Sequence, residues 1–190
     1  MEPFDPFKKE YLDNGKNDAF DNGGHRRPVH TSKPFVHDKA KYQETSAMQE
    51  YCSQFNITTD ELEYDDCCVI EEYCANHIAF FLVWLIQNGF YDPPAGFEDI
   101  SQAAETVKRE EITGTEFLLR YCDGILSRKD LKPEICGFVD WYYEPHYLEA
   151  YSLFVETQLH KRPLGIGFSW KEYHQFQPII DRAYKKFLEQ

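Results

Sequence analysis

Ile78 to Ile86 form an uninterrupted apolar run. A run that is apolar on every side has no face to offer water, so the element it forms must be buried on most of its surface. A buried strand is the rival reading. Including Tyr73, Cys74 and His77 lengthens the pattern beyond what a strand needs, and Asn88-Gly89 supplies a helix stop. The expectation is a central buried helix with the rest of the chain wrapped around it. The run is about half of what a bilayer demands, so no transmembrane span and no membrane partner is expected.

Helical spacing recurs on both sides. Ala47, Met48, Tyr51, Cys52 and Phe55 share one helix face, with Ser46 and Gln49 as a capping box and Asn56 to Thr59 as the break. Thr59 then caps a short acidic segment. Thr113 and Glu116 open a helix that carries Phe117, Leu118, Tyr121 and Cys122, and Gly124 closes it. Ile135, Phe138, Val139 and Tyr142 mark another, after which Pro145 breaks the chain or starts the next turn. Leu148, Tyr151, Val155 and Leu159 line the helix that follows. Ser169 and Glu172 cap the last one, which turns Tyr173, Phe176, Ile180 and Phe187 inward and which Pro178 kinks or splits. Between them, Leu164-Gly-Ile-Gly-Phe168 lacks the third glycine and the preceding strand of a dinucleotide site, so it is not a phosphate loop.

The fold expected is mainly α: a compact single-domain bundle of about six to seven helices over residues 36–190. A hydrophobic share of 42% suffices for its core, which takes in Ile78, Phe81, Leu82, Trp84, Leu85, Phe117, Leu118, Phe138, Tyr151, Val155, Ile180 and Phe187. Residues 1–35 have sparse apolar positions and no period, and read as a flexible N-terminal extension.

Charge narrows the function classes. The formal net charge is -13, which argues against a chain that grips phosphate backbones, so no nucleic-acid partner is expected. The excess is uneven. Between Tyr42 and Val107 there is no Lys or Arg but there are thirteen acids, densest at Asp60, Glu61, Glu63, Asp65 and Asp66, with Glu71 and Glu72 soon after. Such a stretch is a solvated face that aids solubility, or a docking surface for a basic partner. Divalent-cation binding is a further alternative, but Asp65-Asp66 lacks the alternating ligands and turn glycine of a calcium loop, and no metal site is assigned.

Cys52, Cys67, Cys68, Cys74, Cys122 and Cys136 contain no Cys-x-x-Cys pair, and most have apolar or aromatic neighbours. Reduced thiols acting as small buried hydrophobes are expected. Together with an N-terminus without a signal-peptide core, this points to the cytoplasm. Two residues have chemical potential. His77 falls near the expected start of the buried helix, where the dipole favours a neutral imidazole, and Cys74 stands at i-3 on the same face. A thiol beside an imidazole is a nucleophile in outline, with Asp123, Asp140, Glu144 and His146 as residues that tertiary structure would have to bring near. No cofactor is indicated.

Several segments occur in a telling order: His37-Asp-Lys-Ala-Lys-Tyr42, Ala75-Asn-His-Ile-Ala-Phe-Phe-Leu-Val-Trp84, Asn88-Gly89, Phe117-Leu118 with Cys122-Asp123, Tyr142-Tyr143, Tyr147-Leu-x-x-Tyr151 and Ser169-Trp170-x-x-Tyr173. The set resembles an uncharacterised bacterial family of small acidic proteins, a domain of unknown function, over residues 36–188. The chain departs from that pattern by a longer acidic insert between Tyr42 and Ala75 and by residues 1–35. The resemblance implies a helical fold and an intracellular bacterial setting, and it carries no catalytic role. Two function classes follow. One is a non-enzymatic acidic protein that docks a basic protein partner through Asp60, Glu61, Glu63, Asp65, Asp66, Glu71 and Glu72, in concrete form an immunity protein that neutralises a toxin. The other is a small cytosolic enzyme, a hydrolase or transferase, that uses Cys74 and His77 in a pocket.

Overall fold

The computed structural model of the chain describes residues 36–93 and 96–190. The extension expected over residues 1–35 lies outside these, as does Pro94 of the turn after the central helix. In chain order the elements are β1 (Val36–Lys39), α1 (Glu44–Phe55), α2 (Tyr64–Gln87), α3 (Glu98–Lys108), α4 (Gly114–Tyr121), β2 (Ile125–Ser127), α5 (Pro133–Tyr142), α6 (Leu148–Gln158) and α7 (Trp170–Leu188). The fold is mainly α, as expected.

Helix α2 is the centre. It spans 24 residues and is buried continuously from Tyr73 to Ile86. It starts well before the apolar run, because Glu63 and Asp66 form a capping box and Asp65 and Asp66 lie at the positive end of the dipole. By length and composition it is apolar enough to cross a bilayer, and 83% of its most apolar window is buried inside the molecule. The nine-residue run understated the element, since Ala75, Asn76 and His77 are also covered by the surrounding helices. Asn88 ends it, and Gly89 turns the chain with φ +73°, a left-handed value that glycine takes without strain.

Helices α1, α3, α4 and α7 pack on α2. The approach of α4 depends on Gly114, where a Cβ would come within 2.5 Å of Val83 Cγ2. Thr113 caps α4 through the Glu116 amide, and Ser169 caps α7 through Glu172, as the spacing predicts. Phe81 and Phe138 stack across the core, with Trp84 and Tyr184 edge to face nearby. Every expected core residue is buried except Phe187, which is half-buried at the end of α7.

Several local expectations are corrected. Helix α1 begins at Glu44, so Ser46 lies inside it rather than at its cap, and Phe55 is exposed. Thr58, not Thr59, caps the short acidic turn, by pairing with Glu61. Pro145 neither breaks the chain nor starts the next turn but lies in the middle of one. Tyr143–Tyr147 form one π turn that joins α5 to α6, a wider turn that accommodates a residue with no N–H. Pro178 sits inside α7 without splitting it. A two-stranded antiparallel ribbon, β1 with β2, was not foreseen. Its register pairs Val36 with Ser127 and Asp38 with Leu126, and an irregularity lies between Val36 and Asp38. That irregularity accompanies an Asp38 side chain turned into the core, where it is 7% exposed.

Candidate functional site

The quoted segments converge on one buried polar network. Asp38 comes from the first, His77 and Asn76 from the second, Tyr143 from Tyr142-Tyr143, and Tyr147 and Tyr151 from the next. Asp38 Oδ2 is 3.1 Å from His77 Nε2 and accepts from the Tyr143 hydroxyl at 3.0 Å. Its other oxygen accepts from the Lys39 amide at 2.7 Å. The Tyr147 hydroxyl donates to the His77 carbonyl, and Asn76 Nδ2 donates to the Tyr151 hydroxyl at 2.9 Å and to the Gly167 carbonyl. The π turn makes this possible: it keeps Tyr143 and Tyr147 both inward, their rings stacked at 5.1 Å.

These bonds describe a latch. A buried carboxylate is costly unless its oxygens are satisfied, and Asp38 has three donors available. They come from its own strand, from α2 and from the π turn, so the carboxylate fastens β1 to both. His77 stands mid-helix rather than at a helix start, so the dipole argument made from sequence does not apply. Its Nδ1 has no partner among the described residues. His77 is 5% exposed, and burial holds the Tyr143 and Tyr147 phenols well above their usual pKa. Three surface clefts lined by described residues do not include Asp38, His77 or Tyr143.

Cys74 does not share the histidine's bond. Its thiol is buried, and burial, then the nearby Glu44 and Glu71 charges, push its pKa up to about 11, away from thiolate. It lines a groove of about 610 Å³ with Met48, Tyr64, Cys67, Glu71 and Asp123. Of the residues that tertiary structure had to bring near, Asp123 therefore reaches Cys74's groove. Asp140 instead pairs with Arg128 at 2.6 Å, and His146 lies against Trp141. All six cysteines are free, but Cys67 and Cys68 are exposed rather than buried, because the first turns of α2 project beyond the core.

The acidic residues divide by what they hold. Asp60, Glu61, Glu63, Asp65, Glu71 and Glu72 are exposed, and Asp66 is half-buried. Glu61 accepts from the Thr58 amide and hydroxyl at 2.7 and 2.9 Å, which lowers its carboxyl pKa. Asp66 accepts from the Tyr51 hydroxyl and the Glu63 amide, and its pKa falls for the same reason. Glu61, Glu63 and Asp66 therefore also start helical turns. Asp60, Asp65, Glu71 and Glu72 have no such bond described. Tyr64 stands among them, 82% exposed. Asp38 and Tyr143 were missed as partners of His77, although both lie inside segments that the sequence singles out.

A family model described as a domain of unknown function, DUF7832, matches residues 36–163. It begins where the resemblance was placed and ends before α7. No curated protein and no solved structure matches the chain.

Proposed function

The chain belongs to this family of unknown function, DUF7832, and we propose that it is a non-enzymatic acidic binding protein that docks a basic protein partner in the cytoplasm. Its concrete form is an immunity protein that neutralises a bacterial toxin. The observation that supports this is the stretch from Asp60 to Glu72, where six of seven carboxylates are exposed and no Lys or Arg occurs in sequence from Tyr42 to Val107. Exposed Tyr64 gives that face an aromatic centre, and tyrosines often carry binding energy at protein interfaces. The enzyme alternative has less support, because His77 Nε2 is engaged by Asp38 inside the core and the Cys74 thiol resists ionisation.

The test is capture from bacterial cytosol by the tagged protein and by a variant with Asp60→Asn, Asp65→Asn, Glu71→Gln and Glu72→Gln. None of these four makes a capping hydrogen bond among the described residues, and circular dichroism of the variant checks that it is folded. A basic protein held by the parent, released by salt and not held by the variant is the expected result. Equal capture by both proteins sinks the reading.

A further inference from the structure

The groove of about 610 Å³ that holds Cys74 is bordered by the start of α1, the first turns of α2 and the end of α4. Ala40, Ile70 and Cys74 are its buried residues, and Met48 and Leu119 are half-buried in its lining. Tyr64, Cys67 and Cys68 stand exposed along the α2 side. Two of its borders are tied together: the Ala40 amide donates to the Gly124 carbonyl at 2.9 Å, so the groove is formed before anything enters it. Glu44, Glu71 and Asp123 are its exposed carboxylates, set against Lys41 as the base there. No ion pair of the described residues takes up any of these three carboxylates. After burial, the Glu44 and Glu71 charges are what oppose ionisation of the Cys74 thiol, so their negative potential extends into the groove.

We propose that this groove seats an aromatic side chain of the basic partner, one flanked in its own sequence by lysine or arginine. The inference rests on the docking reading and names the anchor within it. Met48, Cys67, Cys68 and Cys74 bring four sulfurs to the lining. Sulfur is soft and polarizable and makes favourable contacts with aromatic rings, commonly at the ring edge. A ring also fills a concave apolar site at small cost in side-chain entropy, and aromatic anchors in such sites carry much of the binding energy of interfaces. The rim selects what stands beside the ring. Glu44 belongs to α1, Glu71 to α2 and Asp123 to the turn after α4, so basic neighbours on either side of a seated ring find a carboxylate to meet. An acidic segment would meet like charge there. A second copy of this chain, with its formal charge of -13, is disfavoured for the same reason.

The experiment needs no partner. A capped Gly-Lys-Lys-Gly-Trp-Gly-Lys-Lys-Gly peptide is titrated into the full chain, beside one peptide with Trp→Leu and one with every Lys→Glu. Amide NMR shifts give affinity, and intermolecular NOEs place the ring. The parent peptide is expected to bind saturably, with shifts at Ile70, Cys74 and Leu119 and with NOEs from the indole to the Met48 methyl. The Trp→Leu peptide should bind about fivefold more weakly, the scale of lost sulfur–ring contacts, and the Lys→Glu peptide should not bind measurably. Met48→Gln, similar in length, should weaken the parent peptide by a similar factor. So should Glu44→Gln with Asp123→Asn, which lies outside residues 60–72; Asp123 has φ +52°, a left-handed value that asparagine takes readily. Circular dichroism checks that both variants are folded, and the peptide comparison on the parent chain does not depend on them. Equal affinity for the Trp and Leu peptides, an indole without NOEs to Met48, or affinity untouched by both variants overturns the groove as the anchor site. Those results leave the docking reading standing, because capture of a basic protein is measured separately. Failure of that capture with the indole still seated against Met48 would instead fault the docking reading alone.

Discussion

His77 shows how burial decides the role of a reactive-looking side chain. Its bond to Asp38 is 3.1 Å long and both residues are within the core. Removing the imidazole leaves a buried carboxylate with one donor fewer, so His77→Ala should cost about 3 kcal/mol in urea unfolding at neutral pH, the scale for breaking a buried pair. A variant as stable as the parent would mean that the latch contributes nothing. The thiols follow the same rule. Cys67 and Cys68 are exposed, whereas burial pushes Cys74 up to about 11 and Cys122 up to about 12. A thiol reagent at neutral pH should therefore modify Cys67 and Cys68 quickly in the folded protein, and the other four only on unfolding. Rapid labelling of Cys74 in a Cys67→Ala, Cys68→Ala protein would contradict this. The sequence showed that these residues were worth attention, but exposure is a property of the packed chain.

At the scale of elements, the acidic start of α2 is held by short-range bonds. The pKa of Asp66 is lowered first by the Tyr51 hydroxyl and then by the Glu63 amide, from an ordinary value of 3.8. A group whose folded pKa is depressed stabilises the fold above its unfolded pKa, and that contribution disappears as pH falls through the lowered value. Glu61 behaves alike through Thr58. The amide protection factors at the Glu63–Cys67 turn, referred to the intrinsic exchange rate at each pH, should therefore fall on acidification below the ordinary carboxylate range, while the interior of α2 stays protected. Asp66→Asn should remove most of that pH dependence, and an unchanged exchange profile would rule out the cap. The caps at Thr113 and Ser169 were legible because they depend on residues three positions apart. The passage through Pro145 was not, because a π turn depends on the rings that pack on it, above all Tyr143 and Tyr147.

For the whole molecule, the charge distribution predicts how association behaves. A formal charge of -13 with its acids gathered in one region steers a cation-rich partner, and screening shortens that reach to about 10 Å at 0.1 M salt. The association rate for the captured partner should fall by at least about tenfold between low and physiological salt, with dissociation changing less. The four-residue neutralised variant should show a lower rate at low salt and a flatter dependence while remaining folded. Stopped-flow measurement of both proteins checks this. An on-rate indifferent to salt and to the substitutions would leave the acidic face as a solvated surface.

The sequence by itself determined the helical class, the buried central helix, most helix ends and the acidic imbalance. These depend on hydrophobic period, on caps a few residues long and on composition, all of which are local or additive. The tertiary structure alone decided that β1 pairs with β2, that Asp38 meets His77 and Tyr143 from 39 and 105 residues away, and that Met48, Cys74 and Leu119 line one groove. No local pattern encodes such meetings. They follow from how the helices pack on α2, and that packing also decides which carboxylate is a cap, which is a latch and which faces water.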